Sequence, residues 1–104
     1  GPVKWNIGRG GSGLEVPVTL AGTGKARVGL ECRISTPGQP DRGRFGNAFD
    51  VERGKEAVLE LSGGTVDPRF RAEVELQIGM LVEGEDRIRP GEAFWTKKRV
   101  FGGK

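Results

Sequence analysis

The strongest constraint on the fold is a strict alternation of apolar and polar side chains over residues 25–34. The apolar members occupy every second position: Ala26, Val28, Leu30, Cys32 and Ile34. Most of the positions between them carry charged side chains. Successive side chains of a β-strand point to opposite faces of a sheet, so the pattern predicts a strand with one buried face. No window of the sequence shows a convincing helical period of useful length.

Two further segments repeat this alternation. Over residues 70–78 the predicted inward side chains are Phe70, Ala72, Val74, Leu76 and Ile78. Over residues 14–20 they are Leu14, Val16, Val18 and Leu20. Pro17 lies inside the second of these segments and has no amide donor. We therefore expect that strand to lie at a sheet edge or to carry a bulge.

Four weaker segments complete the set of predicted strands, over residues 3–7, 45–51, 56–61 and 94–101. Stretches rich in turn-forming residues separate the strands. Seven short strands at this spacing predict an all-β fold, an antiparallel two-layer β-sandwich, with a small barrel as the alternative.

The length of 104 residues fits one such sandwich domain, over residues 1–104. Gly1-Pro2 resembles the remnant that a protease leaves after tag removal. Two of the alternating segments, residues 25–34 and 70–78, supply the predicted centre of the core. Its members are Ala26, Val28, Leu30, Cys32, Ile34, Phe70, Val74, Leu76 and Ile78.

Composition argues against enzyme chemistry. The sequence contains no histidine, so a Ser-His-Asp or Cys-His arrangement cannot be assembled, nor can a typical catalytic zinc site. Cys32 is the only cysteine and is in phase with the predicted buried face, which favours a structural thiol over a nucleophile. We therefore predict a protein that is not an enzyme and that has no catalytic residue, metal site or cofactor.

Two glycine-rich motifs resemble phosphate-binding sequences but lack the required context. Gly8, Gly10 and Gly13 match the pattern G-x-G-x-x-G. The segment that follows is a predicted strand, whereas a pyrophosphate needs the N-terminus of a helix there. Residues 22–25 resemble part of a P-loop, but Ala26 stands where serine or threonine is required. We predict a hairpin turn at residues 22–25.

The last predicted strand contains the best candidates for a binding surface. Seventeen basic and 14 acidic residues give a net charge of +3, a mild preference for an anionic partner. The strand breaks the alternation of the central strands, which predicts exposed aromatic side chains beside basic ones. We nominate Phe94, Trp95, Lys97 and Arg99 as a partner-binding surface. The alternative is that Phe94 or Trp95 closes the end of the core.

Residues 65–78 combine the turn Asp67-Pro68, an aromatic residue and an alternating strand, and a polar insertion then leads to a last strand at residues 94–100. This arrangement resembles the C-terminal half of the small β-sandwich lipoproteins that include the YscW-type pilotins of type III secretion. A loop at residues 35–39 followed by a strand at residues 45–51 is similar to their middle section.

The sequence also departs from this family. Phe70 stands where tyrosine is usual, and the connection over residues 83–91 is long. The acylated N-terminal cysteine of these lipoproteins is missing, and Cys32, inside a predicted strand, cannot replace it.

The resemblance implies a non-catalytic periplasmic lipoprotein that binds a secretin and assists its localisation to, or assembly in, the outer membrane. The implied partner is the C-terminal segment of the secretin, held in an apolar groove or at a strand edge. Contact with the membrane would occur only through an N-terminal lipid anchor, and no nucleic acid is expected. A carbohydrate- or peptide-binding sandwich and a nucleic-acid-binding β-domain are the alternatives.

Overall fold

The structure of the chain is a computed structural model, and it describes residues 3–8, 11–38, 44–62 and 70–102. The strands are β1 (Lys4–Gly8), β2 (Gly11–Val18), β3 (Lys25–Ser35), β4 (Arg44–Glu52), β5 (Ala57–Ser62), β6 (Ala72–Met80) and β7 (Ala93–Phe101). They form two antiparallel sheets with the orders β1-β2-β5 and β4-β3-β6-β7. The predicted sandwich of about seven strands is confirmed.

Helices are absent from the described part of the chain, so none there could span a membrane. Three sequence features lie outside the described residues: the pair Gly1-Pro2, Gly10 of the glycine motif and the predicted turn Asp67-Pro68.

The core lies between the two sheets and is built from the alternating faces of their strands. Its buried apolar residues are Leu14, Val16, Val28, Leu30, Cys32, Ile34, Val51, Leu59, Leu61, Ala72, Val74, Leu76 and Ile78. Ala26 packs against this cluster and is partly buried. The inward faces predicted for β3 and for the body of β6 are therefore confirmed, because both strands lie inside the four-stranded sheet with a neighbour on each side.

The prediction that Phe70 belongs to the core is wrong. The side chain of Phe70 is 53% exposed. Strand β6 begins two residues later, at Ala72, and its pairing with β7 also begins there. Side chains alternate between two faces only where the backbone is held in a sheet, so the period-two pattern does not fix the direction of a residue that precedes the ladder.

The prediction that the strand containing Pro17 lies at an edge is also wrong. Strand β2 lies at the centre of its sheet, between β1 and β5. Within the described residues, however, the pairing of β1 with β2 ends at Glu15, and Pro17 pairs only with Val58 of β5. The proline is tolerated there because no described residue of β1 pairs with it and needs its missing amide.

The turn predicted at residues 22–25 connects the two sheets and is not a hairpin, since β2 and β3 do not pair. Gly22 and Gly24 have φ angles of 104° and 94°, a region that side chains with a Cβ rarely adopt. The turn is held by the connection between β4 and β5. The backbone N–H of Arg53 donates to the Gly24 carbonyl at 2.8 Å, and that of Gly54 donates to the Leu20 carbonyl at 2.7 Å.

Candidate partner-binding surfaces

Cys32, the only cysteine in the sequence, is poorly placed to act as a nucleophile. Cys32 is buried on the inward face of β3, opposite Leu76 of β6. Burial disfavours the thiolate and raises the pKa of Cys32 to about 11. Among the described residues there is also no group of three or more histidine, cysteine, aspartate or glutamate side chains that could hold a metal ion.

We expect Cys32 to react with iodoacetamide at pH 8 at least about a hundredfold more slowly in the folded protein than in denaturant. A thiol pKa two units above its usual 9.0 lowers the thiolate fraction by about this factor, and burial blocks access as well. Mass spectrometry of timed samples measures both rates. Equal rates would show that Cys32 is accessible and that its placement in the core is wrong.

Strand β7, which carries the nominated residues, is an edge strand of the four-stranded sheet and pairs with β6. The register places Trp95 beside Ile78, on the inward face, and Trp95 packs against the core while partly buried. Phe94 is 49% exposed and lies at an irregularity of the β6–β7 ladder. The two aromatic residues therefore differ: Trp95 contributes to the core, as the alternative interpretation held, whereas Phe94 is available for contact.

More exposed apolar side chains lie at the same end of the β6–β7 hairpin as Phe94. Met80 is the last residue of β6 and Val82 follows it closely, and both are exposed. Clusters of exposed apolar residues with a polar rim are typical of interaction sites. We refer to Phe94, Met80 and Val82 as the hairpin-end patch.

The strand that contributes Phe94 to this patch also carries exposed basic side chains. Lys97 and Arg99 pair in register with Leu76 and Val74, so they are on the inward face of an edge strand, yet both are exposed. Among the described residues neither has a carboxylate partner. Lys98, on the opposite face, lies 3.7 Å from a carboxylate oxygen of Glu75.

Arg99 closes the side of the sandwich where β1 and β7 meet. Its guanidinium carbon lies 5.7 Å from the centroid of the Trp5 ring and 4.9 Å from that of Phe101. The two rings are themselves 5.3 Å apart. Aromatic and cation–π contacts of this kind join the two sheets along their edges.

The irregularity near Phe94 and the inward-facing cations Lys97 and Arg99 are devices that discourage another strand from adding to an edge. The edge of β7 is therefore suited to contacts through side chains. Addition of a strand, one of the two binding modes implied by the resemblance, is disfavoured at this edge.

A second feature, which the sequence analysis treated only as a long polar connection, is the loop of residues 81–92 between β6 and β7. This loop folds back onto the outer face of the four-stranded sheet. Its backbone N–H at Ile88 donates to Glu31 Oε2 at 2.7 Å, and Arg87 Nε lies 3.5 Å from the same oxygen. Glu31, an outward position of β3, is consequently only 4% exposed.

Two glycines make room for the loop. Gly29 and Gly79 are paired in register on β3 and β6. A Cβ at Gly29 would lie 3.0 Å from Leu81 Cδ2, and a Cβ at Gly79 would lie 2.7 Å from Ile88 Cγ2. Leu81 and Ile88 therefore occupy the space that side chains at these two positions would fill. Gly29 and Gly79 are the sequence signal for the docked loop, because glycine inside a strand often marks the close approach of another segment.

Ion pairs and hydrogen bonds tie the polar part of the loop to β3. Arg27 donates to the carbonyl oxygen of Glu85 at 3.0 Å and to Asp86 Oδ1 at 2.9 Å. Within the loop, Arg89 donates to both carboxylate oxygens of Glu85, at 2.9 and 2.8 Å. These hydrogen bonds hold the pKa of Glu85 below its usual value. The loop is thus an ordered cover of the sheet's outer face.

A third feature is a groove of about 430 Å³ on the side of the sandwich opposite β7, between the edge strands β4 and β5. Asn47 and Phe49 of β4 form one wall, and they share the inward face with Leu30 and Val28. Residues of β2 and β5 form the other wall. No local feature of the sequence indicates this groove, because a groove between two edge strands depends on strand order, which alternation does not encode.

No family model, no curated protein and no solved structure matches the chain. Function is therefore inferred from the strand edges and side chains described above.

Proposed function

We propose that the chain is a non-catalytic domain that binds a protein partner through the surface of Phe94, Trp95, Lys97 and Arg99. The observation that carries this proposal is that β7 carries the exposed Phe94 together with two exposed cations that have no carboxylate partner in the described part of the chain. An apolar anchor rimmed by charge is the usual composition of the centre and rim of a protein interface. The best partner segment is apolar with acidic residues next to it.

Trp95 is partly buried and joins this surface to the core of the sandwich. Because it packs against the core, its replacement is expected to disturb folding as well as binding. Replacement of the exposed Phe94 therefore tests binding without removing a core contact. Lys97 is also exposed, so its charge can be reversed without burying a carboxylate.

The specific form of the proposal is a pilotin-like periplasmic lipoprotein at the outer membrane whose partner is the C-terminal segment of a secretin. Its support is the resemblance of residues 65–78 and of the last strand, described above. The general form, a protein-binding sandwich, rests on the exposed residues alone and does not depend on that resemblance.

The geometry gives less support to the other two binding classes. A carbohydrate platform needs a broad exposed aromatic face, whereas Trp95 packs against the core and Trp5 lies against Arg99 and Phe101. A platform for single-stranded nucleic acid needs several exposed rings interleaved with basic side chains. On β7 only Phe94 projects a largely exposed ring.

We expect Phe94→Ala to weaken binding of a secretin C-terminal fragment at least tenfold, about 1.4 kcal/mol, with the melting temperature unchanged within a few degrees. Lys97→Glu is expected to weaken binding too, because it reverses a charge at the rim. Pull-down followed by titration calorimetry measures both effects.

The matched control is Phe70→Ala, the same chemical change at an exposed phenylalanine at the other end of the β6–β7 hairpin. It should leave the affinity unchanged. If the unmodified protein does not bind the fragment, the secretin is not the partner. If the fragment binds equally well to the Phe94 variant, the partner-binding surface is assigned wrongly.

A further inference from the structure

Two cations of the edge strand β7 lie on the inward face of the four-stranded sheet. Lys97 pairs in register with Leu76, and Arg99 pairs with Val74. Both partners are buried residues of the core, so both cations are on the face that is directed toward the three-stranded sheet. Their side chains are nevertheless exposed, because β7 is an edge strand that pairs with β6 alone among the described residues. Both cations are therefore accessible to a partner.

No acidic residue of β6 or β7 shares this inward face. Strand β7 contains none, and Glu73 and Glu75 of β6 alternate with buried residues and so point to the outer face. On that face Glu75 lies 3.7 Å from Lys98. Lys97 and Arg99 form no ion pair with another described residue. Their positive charge is thus uncompensated within the described part of the chain, which suits an anionic ligand.

Arg99 is held by two aromatic rings from different sheets. Trp5 of β1 pairs with the buried Leu14, and Phe101 of β7 pairs with the buried Ala72, so both rings face inward. The guanidinium carbon lies 5.7 Å from the centroid of Trp5 and 4.9 Å from that of Phe101. These contacts use no hydrogen bond, and the planar fork of donors on arginine matches a carboxylate through two parallel hydrogen bonds. The rings therefore pre-organise Arg99 for such a ligand.

The spacing of the two cations indicates how the carboxylates are arranged. Lys97 and Arg99 are two positions apart on one strand, so their Cα atoms are roughly 6.6 Å apart. Acidic residues at alternate positions of an extended peptide have the same spacing and share one face. A single-stranded nucleic acid also needs free rings for its bases. Trp5 and Phe101 are partly buried and already contact Arg99, so an acidic peptide is the better fit.

We infer that Lys97 and Arg99 form a carboxylate-binding site for an extended acidic segment of a partner protein, with acidic residues at alternate positions. One carboxylate binds the guanidinium of Arg99 and the next lies at Lys97, while Trp5 and Phe101 are positioning residues for Arg99. The contacts are made by side chains, because strand addition is disfavoured at the edge of β7. This inference rests on the proposed function and adds the chemistry of the partner to it.

The probe is a nine-residue peptide, the length of β7, with blocked ends and with glutamate at two alternate positions among serines. One control peptide has glutamine in place of both glutamates, and the other has the two glutamates adjacent. Adjacent side chains of an extended peptide point to opposite faces. We expect the glutamine peptide to bind at least about tenfold more weakly and the adjacent peptide at least about threefold more weakly.

Chemical-shift titration of the labelled protein at low ionic strength measures these affinities and locates the peptide, since salt screens exposed charges. The indole N–H resonance of Trp5 should shift with the alternate peptide, because its ring contacts Arg99. The glutamine peptide should leave that resonance unchanged.

Lys97→Gln and Lys98→Gln are matched variants, with the same change at neighbouring exposed residues on opposite faces of β7. A diffuse attraction between protein and peptide would fall equally in both. We expect Lys97→Gln to weaken the alternate peptide at least about fivefold and Lys98→Gln to weaken it less than about twofold. Both side chains are exposed, so this comparison holds even if a change at Arg99 disturbs the fold.

Arg99→Lys keeps the charge and removes the fork, so it should weaken the alternate peptide at least about fivefold. Phe101→Leu keeps an apolar side chain and removes the ring that lies 4.9 Å from Arg99. It should weaken the peptide in the unmodified protein and have no further effect in Arg99→Gln. A purely structural role of the ring would give the same loss in both backgrounds.

Three outcomes would overturn the inference: equal affinity for the alternate and glutamine peptides, equal affinity for the alternate and adjacent peptides, or equal losses in Lys97→Gln and Lys98→Gln. A single-stranded oligothymidylate is the comparison ligand. If it binds more tightly than the alternate peptide and loses affinity in Lys97→Gln, the ligand is a nucleic acid and the acidic segment is wrong.

Failure of this site and failure of the proposed function are separable. The probe has no apolar residue, so Phe94→Ala should leave its binding unchanged. If the probe does not bind while Phe94→Ala weakens the secretin fragment, the carboxylate site is wrong and the proposed surface stands. If the probe binds through Arg99 while Phe94→Ala leaves the fragment unaffected, the carboxylate site stands and the role of Phe94 is wrong.

Discussion

Replacement of Leu76 by alanine is expected to lower the free energy of unfolding by about 2–5 kcal/mol. Leu76 has no exposed surface and lies in the middle of β6, between Cys32 of β3 and Lys97 of β7. The loss combines the transfer of the missing methyl and methylene groups with the cavity that they leave. Leu30, at the corresponding depth on β3, should behave in the same way.

Urea denaturation with an unchanged slope measures the effect of Leu76→Ala, since a constant slope shows that the same surface is exposed on unfolding. Leu76→Met is the conservative comparison and should cost less than about 1.5 kcal/mol. Val58→Ala is the surface control, because Val58 is 49% exposed on β5. A loss below roughly 0.5 kcal/mol for Leu76→Ala, the range of ordinary surface positions, would contradict the assigned inward face of β6.

The strands of the fold were predictable because the alternation of side chains is a direct consequence of backbone geometry. Strand β3 and the body of β6 repeat the period without interruption, and their inward residues are buried, apart from the partly buried Ala26. The alternation could not give the exact start of β6, and this is why Phe70 was misplaced. Pro17 lies in a central strand beyond the described end of the β1–β2 pairing. The length of that pairing is set by β1, so the sequence around Pro17 could not predict it.

The binding surfaces were only partly predictable. The broken alternation of the last strand indicated an exposed aromatic residue beside basic ones, and Phe94 is exposed, but the pattern could not separate Phe94 from the half-buried Trp95. The groove between β4 and β5 arises from the order of strands in two sheets. Sequence alternation gives the two faces of each strand and not its neighbours, so that groove had no local signal.

Glu31 shows the same limitation on the outer face of the sheet. It occupies one of the charged positions that alternate with the inward residues of β3, and the strand does direct it outward. The loop that covers Glu31 is formed by residues 81–92, which are far from it in the sequence. Gly29 and Gly79 were the available signals, since a pair of glycines facing each other inside the two best strands leaves a space that another segment fills.

We expect Glu31→Ala to lower the free energy of unfolding by about 1.5–3 kcal/mol and to release the loop of residues 81–92 from the sheet. The carboxylate accepts a charge-assisted hydrogen bond from the Ile88 N–H at 2.7 Å and lies 3.5 Å from Arg87 Nε. Alanine removes both interactions and leaves the Ile88 amide without its acceptor, which carries a desolvation cost wherever water cannot replace it. Glu31→Gln keeps an acceptor of similar shape without the charge. Because charge-assisted hydrogen bonds are roughly twice as strong as neutral ones, Glu31→Gln should lower the free energy of unfolding by less than Glu31→Ala does.

Amide hydrogen exchange separates loop release from general destabilisation. In Glu31→Ala the Ile88 amide should exchange at least tenfold faster, about 1.4 kcal/mol, under conditions in which the amides of β3 and β6 keep most of their protection. Glu73→Ala is the matched control, because Glu73 is an exposed glutamate on the outer face of β6 and has no hydrogen bond or ion pair with the loop among the described residues. Equal losses of stability for Glu31→Ala and Glu73→Ala, with unchanged exchange at Ile88, would show that the loop docks through Leu81 and Ile88 packing over Gly29 and Gly79 and not through the buried carboxylate.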